Sequence, residues 1–480
     1  MIKEKMLIGG LWLDSSNGQT LDIVNPTTEE VFATVPMASS EDVRQAVVSA
    51  YEAFPAWSAL TPFKRGEYLR KASQLIAENS LDIARLMTQE QGKPVQEAKG
   101  EVLKGSEILR YYAEEGERVF GRIIPNSDKN TESRVIYQPM GVVVAISPWN
   151  YPIELLAWKL GGALASGCTI VCKLPSETPL SPLAFIHKVL EAGIPKGVVN
   201  ALTGSGSVIG PLLLKDQHVK KVAFTGSTTV GKQVLAECAS TLKKVSLELG
   251  GSLPMIVCKD CDLDAAVAGA TRRSFRNMGQ ICIAVNRIYV EREIYDQFLV
   301  KFVASTNKLK IGDGLQDDID LGPMCTKNGL ATVKRHISDG IDKGARLLCG
   351  GCRPEKLNLK SGYFYSPSIL ADVNHDMLVM QEETFGPLVG VMPFDTIDEA
   401  IKLANDTPYG LAAIVYTSSL STADRLSKEI QAGNVAINNP DVGVINAPYG
   451  GWKESGFGHE HGPEGLYEYL HTKHVRVRYL

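Results

Sequence analysis

Apolar and polar residues follow one another with two different periods along this chain, and the change of period divides it. In the first 120 residues, turn signals are mixed with stretches of helical spacing. Ser39-Ser-Glu-Asp42 is a capping signal. Behind it Val43, Ala46, Val47, Ala50, Tyr51 and Phe54 recur at helical spacing, which predicts a helix with one buried face. From Gly141 the texture changes to short apolar runs: Val142–Ile146, Thr169–Cys172, Val198–Leu202 and Val222–Thr225. Each reads as a buried strand, and each is followed by enough chain for a crossover helix. Repeated units of this kind predict a parallel sheet covered on both faces. Ligands of such sheets sit beyond the carboxyl ends of the strands. A second α/β region runs from Glu248-Leu-Gly-Gly251 to about Asn439, with late strands at Ala413–Tyr416 and Val435–Asn438. The capping box Thr396-Ile-Asp-Glu399 opens one of its helices.

Two further stretches, Ser133–Tyr137 and His474–Leu480, alternate along their length and lie outside both regions. Isolated two-faced strands are exposed edges that need a partner. Pairing with another subunit is one reading, and a frayed tail is the other.

Composition narrows the class. A chain of 480 residues exceeds one ordinary core; at roughly 150 residues per domain it predicts two to four domains. With 44% hydrophobic and 22% charged residues, it is not a disordered, collagenous or disulfide-scaffold protein. Fifty Lys+Arg against fifty-four Asp+Glu leave a net charge of −4, so nothing points to nucleic acid or to an anionic membrane as partner. The longest apolar stretch, from Gly141, is broken by Pro148, Pro152, Glu154 and Lys159 before it reaches a membrane span. Nine cysteines, an odd number, with no apolar signal ahead of Met6, read as reduced thiols of a cytoplasmic protein.

Several motifs are decoys. Gly226-Ser-Thr-Thr-Val-Gly231-Lys232 has phosphate-loop spacing after a strand, but Gln233 stands where a magnesium-binding hydroxyl is required. A nucleoside triphosphatase is disfavoured, although the turn can still offer backbone N–H groups to another phosphate. Gly204-Ser-Gly206-Ser-Val-Ile-Gly210 is one residue too long for a dinucleotide fingerprint. Cys258-x-x-Cys261 and Cys349-x-x-Cys352 are too far apart for a zinc ribbon, so no metal site is expected. His459 and His461 read as solvated loop residues.

The chemistry concentrates elsewhere. Cys282 follows a Gly279-Gln280 turn and precedes the strand-like Arg287-Ile-Tyr-Val290, so a loop can present its sulfur in a cleft. A thiolate is a nucleophile, and a carboxylate base activates either it or a water. Glu248, an acid at an apolar strand end, is a candidate base whose pKa burial would raise; a paired structural glutamate is the plainer reading. Asn150, in Ser147-Pro-Trp-Asn-Tyr-Pro152 after the first parallel strand, is either a turn former or a donor to a developing oxyanion.

Taken in order, Pro148-Trp-Asn150-Tyr-Pro152, Phe224-Thr-Gly-Ser227, Leu247-Glu248-Leu-Gly-Gly251, Gly279-Gln-Ile-Cys282 and Glu382-Glu383-Thr-Phe385-Gly-Pro387 resemble the NAD(P)-dependent aldehyde dehydrogenase superfamily. Asp22-Ile-Val-Asn-Pro-Thr27 and Tyr449-Gly-Gly-Trp-Lys-Glu-Ser-Gly456 fit as well, so the resemblance covers nearly the whole chain. It implies an α/β subunit in three parts. A Rossmann-like NAD(P)-binding domain would take residues 1–120 and 140–247, a catalytic domain 248–447, and a small β oligomerisation ribbon 121–139 and 465–480, in a homodimer or homotetramer. It further implies that Cys282 attacks the aldehyde and that Asn150 holds the oxyanion. Glu248 would then activate water to give the free acid, with Lys159 and Glu460 relaying protons from it. Trp149, Gly226 and Ser227 would line the cofactor cleft, Lys173 would reach the adenosine ribose, and Glu383 and Phe385 would hold the nicotinamide end.

The chain departs from the family pattern at both ends of this site. In Lys173-Leu-Pro-Ser176-Glu177-Thr-Pro179, Ser176 occupies a position where many relatives carry a ribose-chelating glutamate. Serine beside Lys173 favours NADP over NAD, unless Glu177 faces the ribose instead. At the substrate end the texture resembles succinate-semialdehyde dehydrogenases. Arg276 matches one of their carboxylate-binding arginines, but Trp158 and Gly443 stand where a second arginine and a serine are expected. Trp158 followed by Lys159 is more like broad-range and betaine-aldehyde enzymes. Arg276 is therefore an anion clamp or a salt bridge beneath the catalytic loop. Two readings from other classes, a cofactor-binding structural protein without turnover and a cofactor-free cysteine hydrolase, leave the intact Cys282, Glu248 and Asn150 or the Glu383-Thr-Phe385 motif unexplained.

Overall fold

The computed structural model describes residues 1–355, 357 and 359–479. An eight-stranded sheet has five parallel strands at its centre, in the spatial order Lys244–Glu248, Val219–Thr225, Val142–Ile146, Thr169–Lys173, Val199–Leu202. The last four contain the apolar runs of the sequence, and burial on both faces accounts for their Val, Ile, Leu and Ala content, while Lys221 and Asn200 are buried within them through side-chain hydrogen bonds. Antiparallel short strands close the two ends: Gly456–Phe457 on one side, Met6–Ile8 and then Leu11–Leu13 on the other. Strand order reverses between Val142–Ile146 and Val219–Thr225, so the crevice beyond their carboxyl ends is the topological switch point.

Helices cover the sheet. The first, Ser40–Ser58, starts as its sequence predicts: Ser39 accepts from Asp42 N, and the Asp42 carboxylate accepts from Ser39 N. A cap of this kind stabilises a helix by about 1 kcal/mol. Val43, Ala46, Val47 and Ala50 face the core, but Tyr51 is exposed, because the buried stripe drifts round to Trp57 in the last turn. Helices Pro62–Glu78, Ser80–Gln91 and Val95–Gly116 then pack against Glu154–Ser166 and Leu180–Glu191 in one large apolar cluster.

The second sheet has seven strands, in the order Arg346–Cys349, Ser368–Ala371, Leu388–Phe394, Val285–Glu291, Leu253–Val257, Ala412–Tyr416, Asn434–Ile437. All neighbours are parallel except the first pair. At the capping box, Thr396 accepts from Glu399 N as predicted, while the Glu399 carboxylate reaches one residue further back, to Asp395 N.

The two strands expected to lack a partner in their own chain have one. Leu470–Arg478 pairs antiparallel with Thr131–Pro139 over nine residues, and Arg122–Ile124 adds a third strand. Sequence separation hid this pairing, because neither strand carries any mark of the other. One edge of Leu470–Arg478 has no strand beside it among the described residues. Among the described residues, no helix is long and apolar enough to cross a membrane.

Candidate active site

The site lies where the switch-point loops of the first sheet meet the amino ends of the second. The loop carrying Cys282 arrives through a 3-10 turn, Arg276–Gly279, in which Asn277, Met278 and Gly279 all have positive φ, at 49°, 57° and 68°. Two consecutive non-glycine residues in this region store strain that packing must hold in place. At Gly279 a side chain is excluded outright, since a Cβ would lie 2.2 Å from the Gly386 carbonyl oxygen. Gln280, fully buried, ties the turn to the loop that leads into the helix Lys327–Asp342 by accepting from Cys325 N at 2.9 Å. Cys282 emerges half-buried just before the strand Val285–Glu291.

Two cavities meet at Cys282, and Asn150 and Leu155 also border both. The first, of about 260 Å³, is lined by Trp149, Gly226, Ser227, Gly250, Glu383 and Phe385 among others. It suits a nicotinamide dinucleotide on structural grounds. Ser227 caps the helix Thr228–Ala239 by accepting from Val230 N, and the positive end of that helix dipole lies beside Gly226 at the cleft. Gly250 leaves room for Glu383, whose carboxylate would meet a Cβ there at 2.3 Å. Glu383 accepts from Gly251 N at 3.1 Å, and burial pushes its pKa up to about 7. Trp149 and Phe385 meet edge to face at 5.5 Å, with Phe385 held at a φ of 49°.

Lys173 and Ser176 lie along the same strand ends. The Lys173 ammonium is 3.4 Å from Ser176 Oγ, which donates to the Gly204 carbonyl, and burial brings the lysine pKa down to about 8. Glu177 is exposed and makes no ion pair with Lys173 among the described residues.

The second cavity, of about 180 Å³, holds the acid–base groups. Glu248 ends its strand 4% exposed, and its Oε1 has no hydrogen-bond partner. Burial pushes its pKa well above the usual carboxylate range, nearby Glu460 adds to this, and Lys159 opposes it. Lys159 donates to Glu460 at 2.7 Å and to Thr225 Oγ1 at 2.7 Å. Glu460 reaches the site because its backbone exchanges two hydrogen bonds with Tyr449. The Cys282 thiol pKa is raised by burial first and then by the Glu248 and Glu383 carboxylates, while the Tyr449 hydroxyl pulls it back. Asn150, 2% exposed, spends one amide hydrogen on the Gln280 carbonyl at 3.0 Å, and its Oδ1 is unpartnered.

At the far end Arg276 makes a salt bridge and also borders the cavity. Its Nε donates to Glu97 at 3.0 Å, and the same guanidinium lines the cavity. Trp158 is buried rather than free to contact solvent, stacked on His461 at 3.6 Å.

Residues 12–475 match the aldehyde dehydrogenase family. This chain belongs to that family. It is an aldehyde dehydrogenase, an oxidoreductase that uses a nicotinamide cofactor. The chain is 43% identical over 477 residues to the NADP(+) succinate-semialdehyde dehydrogenase GabD of Escherichia coli, covering 99% of this chain and 98% of the relative. It is 44% identical, with the same coverage, to the glutarate-semialdehyde dehydrogenase of Pseudomonas putida. The betaine aldehyde dehydrogenase of Staphylococcus aureus in complex with NAD+ superposes with a TM-score of 0.96 at 36% identity, covering 99% of this chain and 95% of that one.

Two lining residues of this aldehyde dehydrogenase, Arg273 and His461, are not among the site residues expected from sequence. Arg273 sits one helical turn before Arg276, on the helix Leu263–Phe275, and pairs with Asp441 at 2.5 Å. Its three-residue spacing from Arg276 was the available signal. His461 is not a solvated loop residue. It is sandwiched between Trp158 and Tyr449, at 3.6 and 4.9 Å, and burial brings its pKa down to about 3, so the ring is neutral at working pH. Among the described residues, no group of three or more His, Cys, Asp or Glu side chains is arranged to hold a metal.

Proposed function

We propose that this aldehyde dehydrogenase oxidises a semialdehyde with an anionic tail, such as succinate or glutarate semialdehyde, to the free acid. The observation that carries the reading is the position of Cys282 in the wall common to both cavities, where one group can face a nicotinamide on one side and an aldehyde on the other.

Cys282, once deprotonated, adds through sulfur to the aldehyde carbon, and the carbonyl oxygen becomes an oxyanion. The second N–H of the Asn150 carboxamide and the Cys282 backbone N–H hold that charge, and one such oxyanion donor is generally worth about 3–4 kcal/mol. A bound nicotinamide cofactor would supply the hydride acceptor, and loss of hydride from the former aldehyde carbon as its oxyanion collapses leaves the acyl group as a thioester on Cys282. Glu248, held at a strand end with a raised pKa and a free Oε1, takes a proton from water as the water attacks the thioester carbon. The thiolate leaves, and the acid is released. Lys159 and Glu460 pass the proton from Glu248 outward. A base at this position supports free acid, rather than an acyl transfer, as the outcome.

Residues 1–120 and 140–247 would form the cofactor-binding part, 248–447 the catalytic part, and 121–139 with 465–480 the ribbon. The open edge of Leu470–Arg478 supports assembly into a homodimer or homotetramer. Ser176 beside Lys173, with Glu177 turned to solvent, supports NADP as the preferred cofactor.

Arg276, with Nε committed to Glu97 and the rest of its guanidinium on the cavity, supports an anionic substrate tail. The stacked wall of Trp158, His461 and Tyr449 favours a second reading, a broad-range or betaine-aldehyde-type enzyme for apolar or cationic tails. A panel of anionic, neutral and cationic aldehydes of matched length, each assayed with NAD+ and NADP+, separates the two. Highest kcat/KM on the anionic members supports the first, and highest on the cationic members overturns it.

A further inference from the structure

Behind the Asn150 loop lies a buried polar platform that the chemistry above does not use. Lys93 sits in the short turn between the helices Ser80–Gln91 and Val95–Gly116, and Glu101 lies on the second of them. They form an ion pair 2.6 Å long in which both side chains are wholly shut off from solvent. Neither borders either cavity.

The Lys93 ammonium is fully engaged. It donates to Glu101 Oε2 and, at 2.7 Å, to the Asn150 carbonyl oxygen, and it lies 3.7 Å from the centre of the Tyr151 ring. The other Glu101 oxygen accepts from Ile153 N and Glu154 N, at 2.9 and 3.2 Å, the free amides that open the helix Glu154–Ser166. The pair thus grips the backbone on both sides of Tyr151. The platform also touches the nucleophile's own loop. Gln91 donates to Asn277 Oδ1, and Asn277 Nδ2 donates to the same Asn150 carbonyl.

A buried ion pair is a poor source of stability, because desolvation offsets most of its attraction. Charge-assisted hydrogen bonds are, however, short and directional, and here they are spent on the backbone of one loop. We propose that Lys93 and Glu101 are positioning residues that fix the Asn150 carboxamide relative to the oxyanion on Cys282. The inference rests on the reading of Asn150 as the oxyanion donor.

The test is a double-mutant cycle on single-turnover hydride transfer. Lys93→Met alone leaves Glu101 buried without its partner, so Lys93→Met/Glu101→Gln, which removes both charges and keeps an oxygen for Ile153 and Glu154, is measured beside it. The paired variant is expected to slow hydride transfer about tenfold or more in the otherwise wild-type enzyme and less than about twofold in an Asn150→Ala background. NADP+ affinity, followed by fluorescence, should stay within about twofold throughout. Equal losses in both backgrounds would mean a general structural role and overturn the proposal, as would no loss in the wild type. If Asn150→Ala itself transfers hydride at the wild-type rate, the oxyanion reading fails, and the proposed role of the pair fails with it.

Discussion

Lys159 and Glu460, 301 residues apart in sequence, form a buried ion pair 2.7 Å long beside Glu248. The two act on Glu248 with opposite sign: Glu460 raises its pKa and Lys159 lowers it. Thioester hydrolysis needs Glu248 ionised, so its rate should rise with pH through the Glu248 pKa. Lys159→Met should move that rise to higher pH, and Glu460→Gln should move it to lower pH. Stopped-flow measurement of the deacylation phase across pH checks both. Shifts in the same direction for both variants would show that the pair does not act on Glu248 electrostatically.

Cys282→Ala should lower aldehyde oxidation by about a thousandfold or more while the cofactor still binds, because among the described residues no second nucleophile borders both cavities. Glu248→Gln should leave the first hydride transfer and slow hydrolysis about a hundredfold or more. Rapid mixing should then show a burst of reduced cofactor before a slow steady state. Loss of the burst together with the steady state would place Glu248 earlier, on the thiol.

The thiol pKa of Cys282 lies above its ordinary value because burial and two carboxylates disfavour the thiolate. Alkylation of the free enzyme by iodoacetamide should therefore be slow at neutral pH and accelerate steadily as the pH is raised. A rate already at its plateau near pH 7 would contradict this environment.

Ser176→Glu should swing cofactor preference towards NAD+ by roughly tenfold or more. A carboxylate a few ångströms from a 2′-phosphate costs on the order of 1 kcal/mol even in a wet cleft, and each 1.4 kcal/mol is about a factor of ten. Steady-state kinetics with both cofactors measures the change. A wild type that strongly prefers NAD+ would mean that the Lys173–Ser176 pair does not face a phosphate.

Arg276→Gln should raise KM about tenfold for succinate semialdehyde, with a change under about twofold for butanal, which lacks the charge. His461→Leu keeps an apolar wall against Trp158 and should leave the KM of both aldehydes within about twofold. An equal loss on both aldehydes in Arg276→Gln would reduce the arginine to its ion pair with Glu97.

By itself the sequence determined the parallel strands, the first capped helix and the identity of the central groups. Each is a local matter: a strand buried on both faces is mostly apolar, a cap lies within four residues, and five ordered motifs around Asn150, Ser227, Glu248, Cys282 and Glu383 identify the family without coordinates. What only the tertiary structure decided are relations between distant segments. Leu470–Arg478 lies against Thr131–Pro139 because alternating strands pair with whatever edge the fold brings near, and neither sequence specifies the other. His461 left the solvent for the space between Trp158 and Tyr449 because the backbone bridge from Tyr449 to Glu460 draws it inward. Lys93 met the Asn150 carbonyl across 57 residues, a charge whose partner becomes visible only when the helices close around it. Pattern reports burial along one segment, but which buried groups satisfy one another depends on the packing of all of them.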